Sequence, residues 1–312
     1  MSRLKIGLVA TAMVASSSHA QNATPARLLG RWDITVAVAG REYPSWLEVH
    51  LSGRETLVGQ FVGVVGSARP IARIVVSGDS MRFAIPPQWE EGPGDLTVEG
   101  RLDNDRLTGR MTLPDGKAYD WSAVRAPSLR RAAAPHWGAP IHLLHANDLT
   151  GWRAAESGRE NQWTVSNRVL RSPKSGVNIM TERTFSDFKL HLEFRYPKGS
   201  NSGVYLRGRH EVQIHDDFGL EPASDRFAGI YGFIAPSEIA AKAPGEWQTY
   251  DITLVGRMVT IVANGRTVVS NREIPGITGG AIDSREGTPG PLLLQGDHGP
   301  IEYRNIIVTP AR

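Results

Sequence analysis

The stretch Phe188-Lys189-Leu190-His191-Leu192-Glu193-Phe194-Arg195 alternates large apolar with charged or polar side chains without a break. A period of two puts every apolar member on one face of an extended chain, which is the pattern of a strand in a sheet with one buried face. Tyr250, Ile252 and Leu254 repeat it. Further on, Met258 to Ala263 and Thr267 to Ser270 flank Asn264-Gly265, a pair suited to the positive φ of a two-residue hairpin turn, so these segments are expected to pair. With 33 glycines, 20 prolines and few helix-period stretches, the chain reads as many short strands joined by tight turns. Residues 140–312 are therefore expected to form an all-β, two-sheet sandwich of the jelly-roll kind. One short helix is expected at Pro236 to Lys242, where Ser237 can cap and Glu238 falls in the first turn.

Toward the N-terminus the same grammar continues in a separate block, residues 27–126. Trp32 to Val36, Trp46 to Leu51, Leu57 to Val62, Ile71 to Val76 and Leu107 to Leu113 recur with glycine or Asp-Gly turns between them. That spacing predicts an antiparallel meander or small barrel, and the start at Gly30-Arg31-Trp32 resembles lipocalin-like barrels. Trp46, Trp89 and Trp121 are expected to fill or close the barrel, with stacking on a sugar as the other use of such rings. Residues 127–139, rich in proline and small side chains, lack alternation and read as an exposed linker.

The first 20 residues are expected to be a signal peptide. Arg3 and Lys5 precede an apolar run from Ile6 to Ala15, and Ser18-His19-Ala20 supplies small residues at the two positions a signal peptidase reads, so mature protein is expected to start near Gln21. A periplasmic or secreted location follows as an expectation. The run is shorter than the roughly 20 apolar residues of a membrane span, and no later segment approaches that length. There is no cysteine, which excludes a lipidated N-terminal Cys, disulfides, thiolate metal sites and a Cys nucleophile. Net charge is +3 with arginines scattered rather than run together, so nucleic acid is not an expected partner. No Gly-x-Ser-x-Gly elbow and no phosphate loop occur, which leaves serine-hydrolase and nucleotide chemistry without support. Nothing in the pattern indicates an oligomeric state.

A series of short strings in the second half carries more. Leu149-Thr150-Gly151-Trp152, Trp163-Thr164-Val165, Phe185-Ser186-Asp187-Phe188, Asn201 to Arg207, Glu211 to Asp216, Gly229-Ile230-Tyr231, Gly245-Glu246-Trp247, Leu294 to Gly299 and Tyr303 to Ile306 stand in one order across residues 141–310. In that order they resemble the 3-keto-disaccharide hydrolase family. The resemblance implies a concanavalin-like sandwich and cleavage of 3-keto-glycosides, either by hydrolysis or by elimination followed by addition of water. It implies nothing for the first 126 residues.

Local chemistry supplies candidates for that activity. If residues 202–216 form a hairpin around Gly208, Val204, Leu206, Val212 and Ile214 face the core, while Tyr205, Arg207, Glu211 and Gln213 form a polar row on the other face, with Asp216 at its end. Gln295, Asp297 and His298 form a second cluster in a glycine-bounded loop, where a carboxylate beside a histidine can fix its tautomer for proton transfer. With the resemblance, Glu211 or His298 is expected to move the proton and Arg207 to stabilise the enolate oxygen. Tyr205, Gln213, Asp216, Tyr231, Gln295 and Asp297 are expected to hold the carbohydrate. His210, His215 and His298 with Glu211, Asp216 and Asp217 leave a divalent metal ion open as a cofactor, without diagnostic spacing. The competing reading is a non-catalytic, lectin-like carbohydrate-binding protein, since sandwiches host both.

Overall fold

The computed structural model describes residues 23–145 and 147–312. The expected signal peptide at 1–20 and mature start at Gln21 lie outside the described residues. Within them the chain forms 21 strands and one six-residue helix, Ala23–Leu28, so the fold is all-β. No helix among the described residues is long and apolar enough to cross a membrane.

Strands Gly30–Val38, Arg41–Ser52, Thr56–Val62, Arg69–Ser77, Ser80–Ile85, Leu96–Asp103, Arg106–Thr112 and Ala118–Arg125 pair in chain order. The last returns antiparallel to the first and closes a barrel. Alternation decides what fills it: in Leu96–Asp103 every second residue from Leu96 is buried and every second from Thr97 is exposed. Trp32, Phe61, Phe83 and Trp121 supply the largest interior side chains. The N-terminal helix plugs one end, burying Leu28, whose carbonyl accepts the Trp32 indole N–H at 2.9 Å.

The second half is a sandwich. One sheet runs Trp152–Ala154, Ile179–Phe185, Gly290–Leu294, Asn201–Leu206, His210–His215 in spatial order. The other runs Thr164–Ser166, Val169–Ser172, Ile301–Pro310, Phe188–Arg195, Gln248–Val255, Met258–Ala263, Arg266–Glu273, with Ile141–His142 added beside Ile301–Pro310. Phe188, Leu190, Leu192 and Phe194 pack against Val204, Leu206, Val212 and Ile214 of the facing sheet, as the alternation requires. The Asn264-Gly265 hairpin forms as expected.

Three expectations are corrected. Residues 236–242 are not helical, because side chains take the backbone groups a helix would use. Asn264 Nδ2 donates to the Ala240 carbonyl at 2.8 Å, and Gln248 binds both the N–H and C=O of Lys242. The connector is not a free exposed segment: Leu129 is buried, and Arg131 pairs with Asp187 at 2.6 Å. Trp46 is fully buried, yet outside the barrel interior. It packs with Val62, Ile277, Ala281 and Phe233, edge-on to the Phe233 ring at 5.3 Å, and so joins barrel to sandwich.

Around that apolar joint sit polar ones. Arg31 reaches Glu273 at 2.6 Å, Thr35 shares a hydrogen bond with Ser284 at 3.0 Å, and the Gly280 N–H donates to the Val64 carbonyl at 3.0 Å. Asp33 of the barrel faces Glu286 of the sandwich, which pairs with Arg257. Burial first, and then Glu286, raises the Asp33 carboxyl to about 8. The barrel is thus joined to the sandwich chiefly through Phe233 and the 273–286 segment.

Candidate active site

Tyr205 and Glu211 are direct cross-strand partners in the Asn201–Leu206/His210–His215 hairpin, and Gly203 and Gln213 are the next pair along on the same face. Their side chains point away from the sandwich core. Burial follows, because loop 276–282 and the barrel edge lie over this face: Tyr205, Glu211 and Gln213 are each under 5% exposed. Glycine at 203 leaves room for the Glu211 carboxyl, which a Cβ there would overlap. The loop after Gly290–Leu294 is hung on the same hairpin. Gln295 N–H donates to the Gly203 carbonyl at 2.9 Å, and the Ser202 hydroxyl donates to the Gln295 carbonyl at 2.8 Å. Tyr231 N–H donates to the Glu211 carbonyl at 3.1 Å. A cleft of about 480 Å³ opens between these elements, within the usual range for ligand sites.

Of the nine candidates from the sequence, seven line this cleft: Tyr205, Glu211, Gln213, Tyr231, Gln295, Asp297 and His298. Asn178 and Asn201 join them. The Tyr205 hydroxyl lies 2.9 Å from Glu211 Oε2 and 3.1 Å from the Gly279 carbonyl, so its single proton can serve either acceptor. Burial pushes the Glu211 carboxyl up to about 8, against the opposing pull of Tyr205 and His298. His298 Nδ1 lies 2.7 Å from Asp297 Oδ1, and that hydrogen bond raises the imidazole above its ordinary value. Burial is the largest single influence on Asp297 and opposes its ionisation, but the hydrogen bond and charge of His298, with the backbone and Asn178, together hold the carboxyl below its ordinary value. Two titratable groups of different chemistry therefore face one cleft, one buried and one half-exposed. The side-chain oxygens Asn201 Oδ1, Gln213 Oε1 and Gln295 Oε1 are buried there with no partner in the protein. Buried acceptors are costly when unpaired, so these three call for a ligand that brings donors, as sugar hydroxyls do.

Arg207 and Asp216 lie outside the cleft. Arg207 opens the hairpin turn at φ 54°, so the alternation that carries Tyr205 outward ends before it. Its guanidinium instead donates to the Gly256 carbonyl at 2.8 Å and to His210 Nε2 at 3.2 Å, and burial lowers it to about 10. Asp216 accepts the Gly199 N–H at 2.8 Å and fixes the turn before the hairpin. The three histidines are also held apart. His210 is buried, with Nδ1 3.1 Å from the Gly276 carbonyl, and His215 pairs with Asp217 at 2.8 Å. Among the described residues no group of three or more His, Asp or Glu is arranged to hold a metal ion.

Residues 139–309 match the family described as 3-keto-alpha-glucoside-1,2-lyase-like domain. The chain belongs to this family. The lyase-like domain thus takes in all seven cleft-lining candidates and the whole sandwich. A crystal structure of a candidate glycosyl hydrolase from Parabacteroides distasonis ATCC 8503 is similar at 28% identity, over 54% of this chain and 82% of that one, with a TM-score of 0.47. Another from the same organism is similar at 24% identity, over 55% and 98%, with a TM-score of 0.43. A non-specific endo-beta-1,3(4)-glucanase from family GH16 is similar at 13% identity, over 60% and 96%, with a TM-score of 0.37. No curated protein matches the chain.

The lyase-like domain does not close the cleft alone. Val65, Gly66 and Trp89 come from barrel loops outside the family match, and Gly279 and Gly280 come from the loop that carries the barrel. The sequence holds no sign that Trp89 reaches residues more than a hundred positions away. Asn178 and Asn201 carry a weaker signal: Asn178 precedes the strand Ile179–Phe185 and Asn201 opens the strand Asn201–Leu206.

Proposed function

We propose that this protein cleaves the glycosidic bond of 3-keto-glycosides by removing the proton at sugar C2, expelling the C1 substituent and adding water to the resulting double bond. The observation that carries the reading is the pairing, across one cleft, of a carboxyl held near 8 with an Asp-backed histidine, beside buried acceptors that lack donors.

A ketone at C3 acidifies the C2 hydrogen. Neutral His298, oriented by Asp297 through Nδ1, takes that proton on Nε2, and the electron pair left on C2 delocalises onto the C3 oxygen. When the ketone re-forms, the pair becomes the C1–C2 double bond and the C1–O bond breaks toward the leaving group. Glu211, still protonated at neutral pH, gives its proton to the departing oxygen, and Tyr205 supports the carboxylate that remains. Water then adds at C1 and gives its remaining proton to the Glu211 carboxylate, while the imidazolium returns a proton to C2, so the free 3-keto sugar leaves and both groups are restored. Asn201, Gln213 and Gln295 accept from the sugar hydroxyls, and the side-chain amide of Asn178 lies at the same wall.

Direct hydrolysis of an unoxidised glycoside is less well supported, because it uses two carboxyls flanking the anomeric carbon, one free to attack or to activate water. Here the second carboxyl in the cleft, Asp297, is engaged by His298. A lectin site has no need of a proton-transfer pair converging on its ligand. The test is incubation of the protein with 3-keto-trehalose and an aryl 3-keto-glucoside, with the unoxidised parents as controls. Release of the aglycone from the keto forms alone is expected; cleavage of the parents at equal rates would overturn the reading.

A further inference from the structure

Trp89 is 65% exposed, yet the loop that carries it is firmly held. Glu90 Oε2 accepts the N–H groups of Gln88 and Trp89, and Glu90 Oε1 pairs with Arg69 at 2.7 Å. Arg69 also donates to the Pro86 carbonyl at 3.0 Å, and the Gln88 side chain bonds both the N–H and the hydroxyl of Ser67. The 64–67 turn is in turn fixed to the sandwich through the Gly280-to-Val64 hydrogen bond. At Gly66, φ is +90° and a Cβ would come within 2.9 Å of the Trp89 ring, so the turn and the indole fit only with glycine there. An exposed indole on a firmly held loop therefore lines the cleft together with Val65, itself 55% exposed.

The cleft is thus divided. Its floor, from the sandwich, is polar and contains the proton-transfer groups; its barrel wall is apolar and contains none. The reacting sugar needs the hydroxyl partners on the floor, so the apolar wall falls to the part of the substrate across the scissile bond.

We propose that the barrel supplies the leaving-group subsite, with Trp89 as a platform on which a ring with an apolar face, a second pyranose or an aryl group, stacks. This assignment rests on the 3-keto-glycoside reading and adds the selection of the aglycone to it. Stacking on a flat, preorganised indole favours ring aglycones over small ones, and it accounts for a barrel fused to a domain that already carries the proton chemistry.

The test compares kcat/KM for p-nitrophenyl 3-keto-glucoside and methyl 3-keto-glucoside in the full-length protein, Trp89→Ala and Trp89→Phe. In the wild type the aryl substrate is preferred beyond its intrinsic leaving-group advantage, measured from uncatalysed decay. Trp89→Ala is expected to reduce the aryl-to-methyl ratio about tenfold, and Trp89→Phe to restore most of it. A ratio unchanged in Trp89→Ala, with melting unaltered, would overturn the assignment. If the wild type turns over neither substrate, the catalytic reading fails by itself. The subsite is then judged by titration calorimetry with p-nitrophenyl and methyl glucosides: tighter aryl binding that is lost in Trp89→Ala supports it, and equal binding overturns it.

Discussion

The barrel and the sandwich are built from the same alternating strands but treat buried polarity differently. The barrel interior is an unbroken apolar cluster, and its buried polar side chains, Asp33, Ser45 and Arg69, all lie outside that cluster. The sandwich has an apolar core of the same kind, but it buries Glu211 and Gln213 on the outer face of its smaller sheet and Arg207, Arg209 and His210 around the hairpin turn. A close-packed apolar interior gives stability and a fixed shape; a raised carboxyl and acceptors without donors that line an open cleft lower stability and make sense where a ligand supplies what is missing. On the proposed reading, the chemistry falls to the sandwich and the positioning to the barrel.

The largest expected effect lies on the chemical side of that contrast. Glu211→Gln keeps the size and the Tyr205 contact but cannot give up a proton, and kcat/KM for a 3-keto-glycoside is expected to fall by about 10² to 10⁴ with the fold intact. Steady-state kinetics with circular dichroism would check it; wild-type rates in a folded variant would move the chemistry elsewhere.

Next comes the joint between the two regions. Truncating a fully buried tryptophan costs about 3–5 kcal/mol. Trp46→Ala and Trp121→Ala are both expected to lower melting by such amounts, but only Trp46 sits between the halves. At a temperature where both variants are folded, Trp46→Ala should also reduce kcat/KM on ring aglycones, while Trp121→Ala should not. Equal losses of activity would mean that the barrel does not position the cleft wall. For the same reason a fragment from Pro135 to Arg312, which would bare Phe233, Ile277 and Ala281, is expected to be less soluble than the whole chain.

A smaller effect is expected at Arg207. Arg207→Met removes a buried donor to the Gly256 carbonyl and should cost about 1–3 kcal/mol of stability, read from denaturant melts. Any change in rate should follow from that loss and be absent well below the melting transition.

The remaining expectation is a pH dependence with a definite sign. Glu211 sits near 8 in the folded protein against 4.5 as its ordinary value, so between these values the native state holds a proton that the unfolded state has lost. Its contribution therefore makes stability fall as pH rises from about 4.5 to about 8. Glu211→Gln lacks this loss. The difference in Tm, variant minus wild type, should grow across that interval and level off above it; a constant difference would show an ordinary carboxyl.

Much of this was readable from residue order. The alternation at Phe188 to Arg195, the Asn264-Gly265 turn and the polar row of Tyr205, Glu211 and Gln213 depend on neighbours in sequence, and local rules reach them. Ser80–Ile85 and Leu96–Asp103 alternate as regularly and complete the barrel, so their signal was present as well. Arg207 shows where extrapolation stops: one residue at positive φ ends the period-two rule and turns its side chain away. Trp46 and Trp89 show a second limit. Both are aromatic residues of a small β domain, and only the contact between the halves makes one a buried joint and the other an exposed wall. The missing helix at 236–242 belongs to the same class, since Gln248 and Asn264, beyond the segment itself, claim its backbone.

The most direct measurement is turnover of methyl 3-keto-glucoside in D₂O, with the product's C2 position followed by NMR and the free 3-keto sugar incubated alone as the exchange control. Proton removal at C2 by an imidazole in contact with solvent is expected to leave deuterium at C2 of the product, at a level well above the control and suppressed together with turnover in Glu211→Gln. Complete turnover with protium retained at C2 would contradict elimination and point to direct hydrolysis at C1.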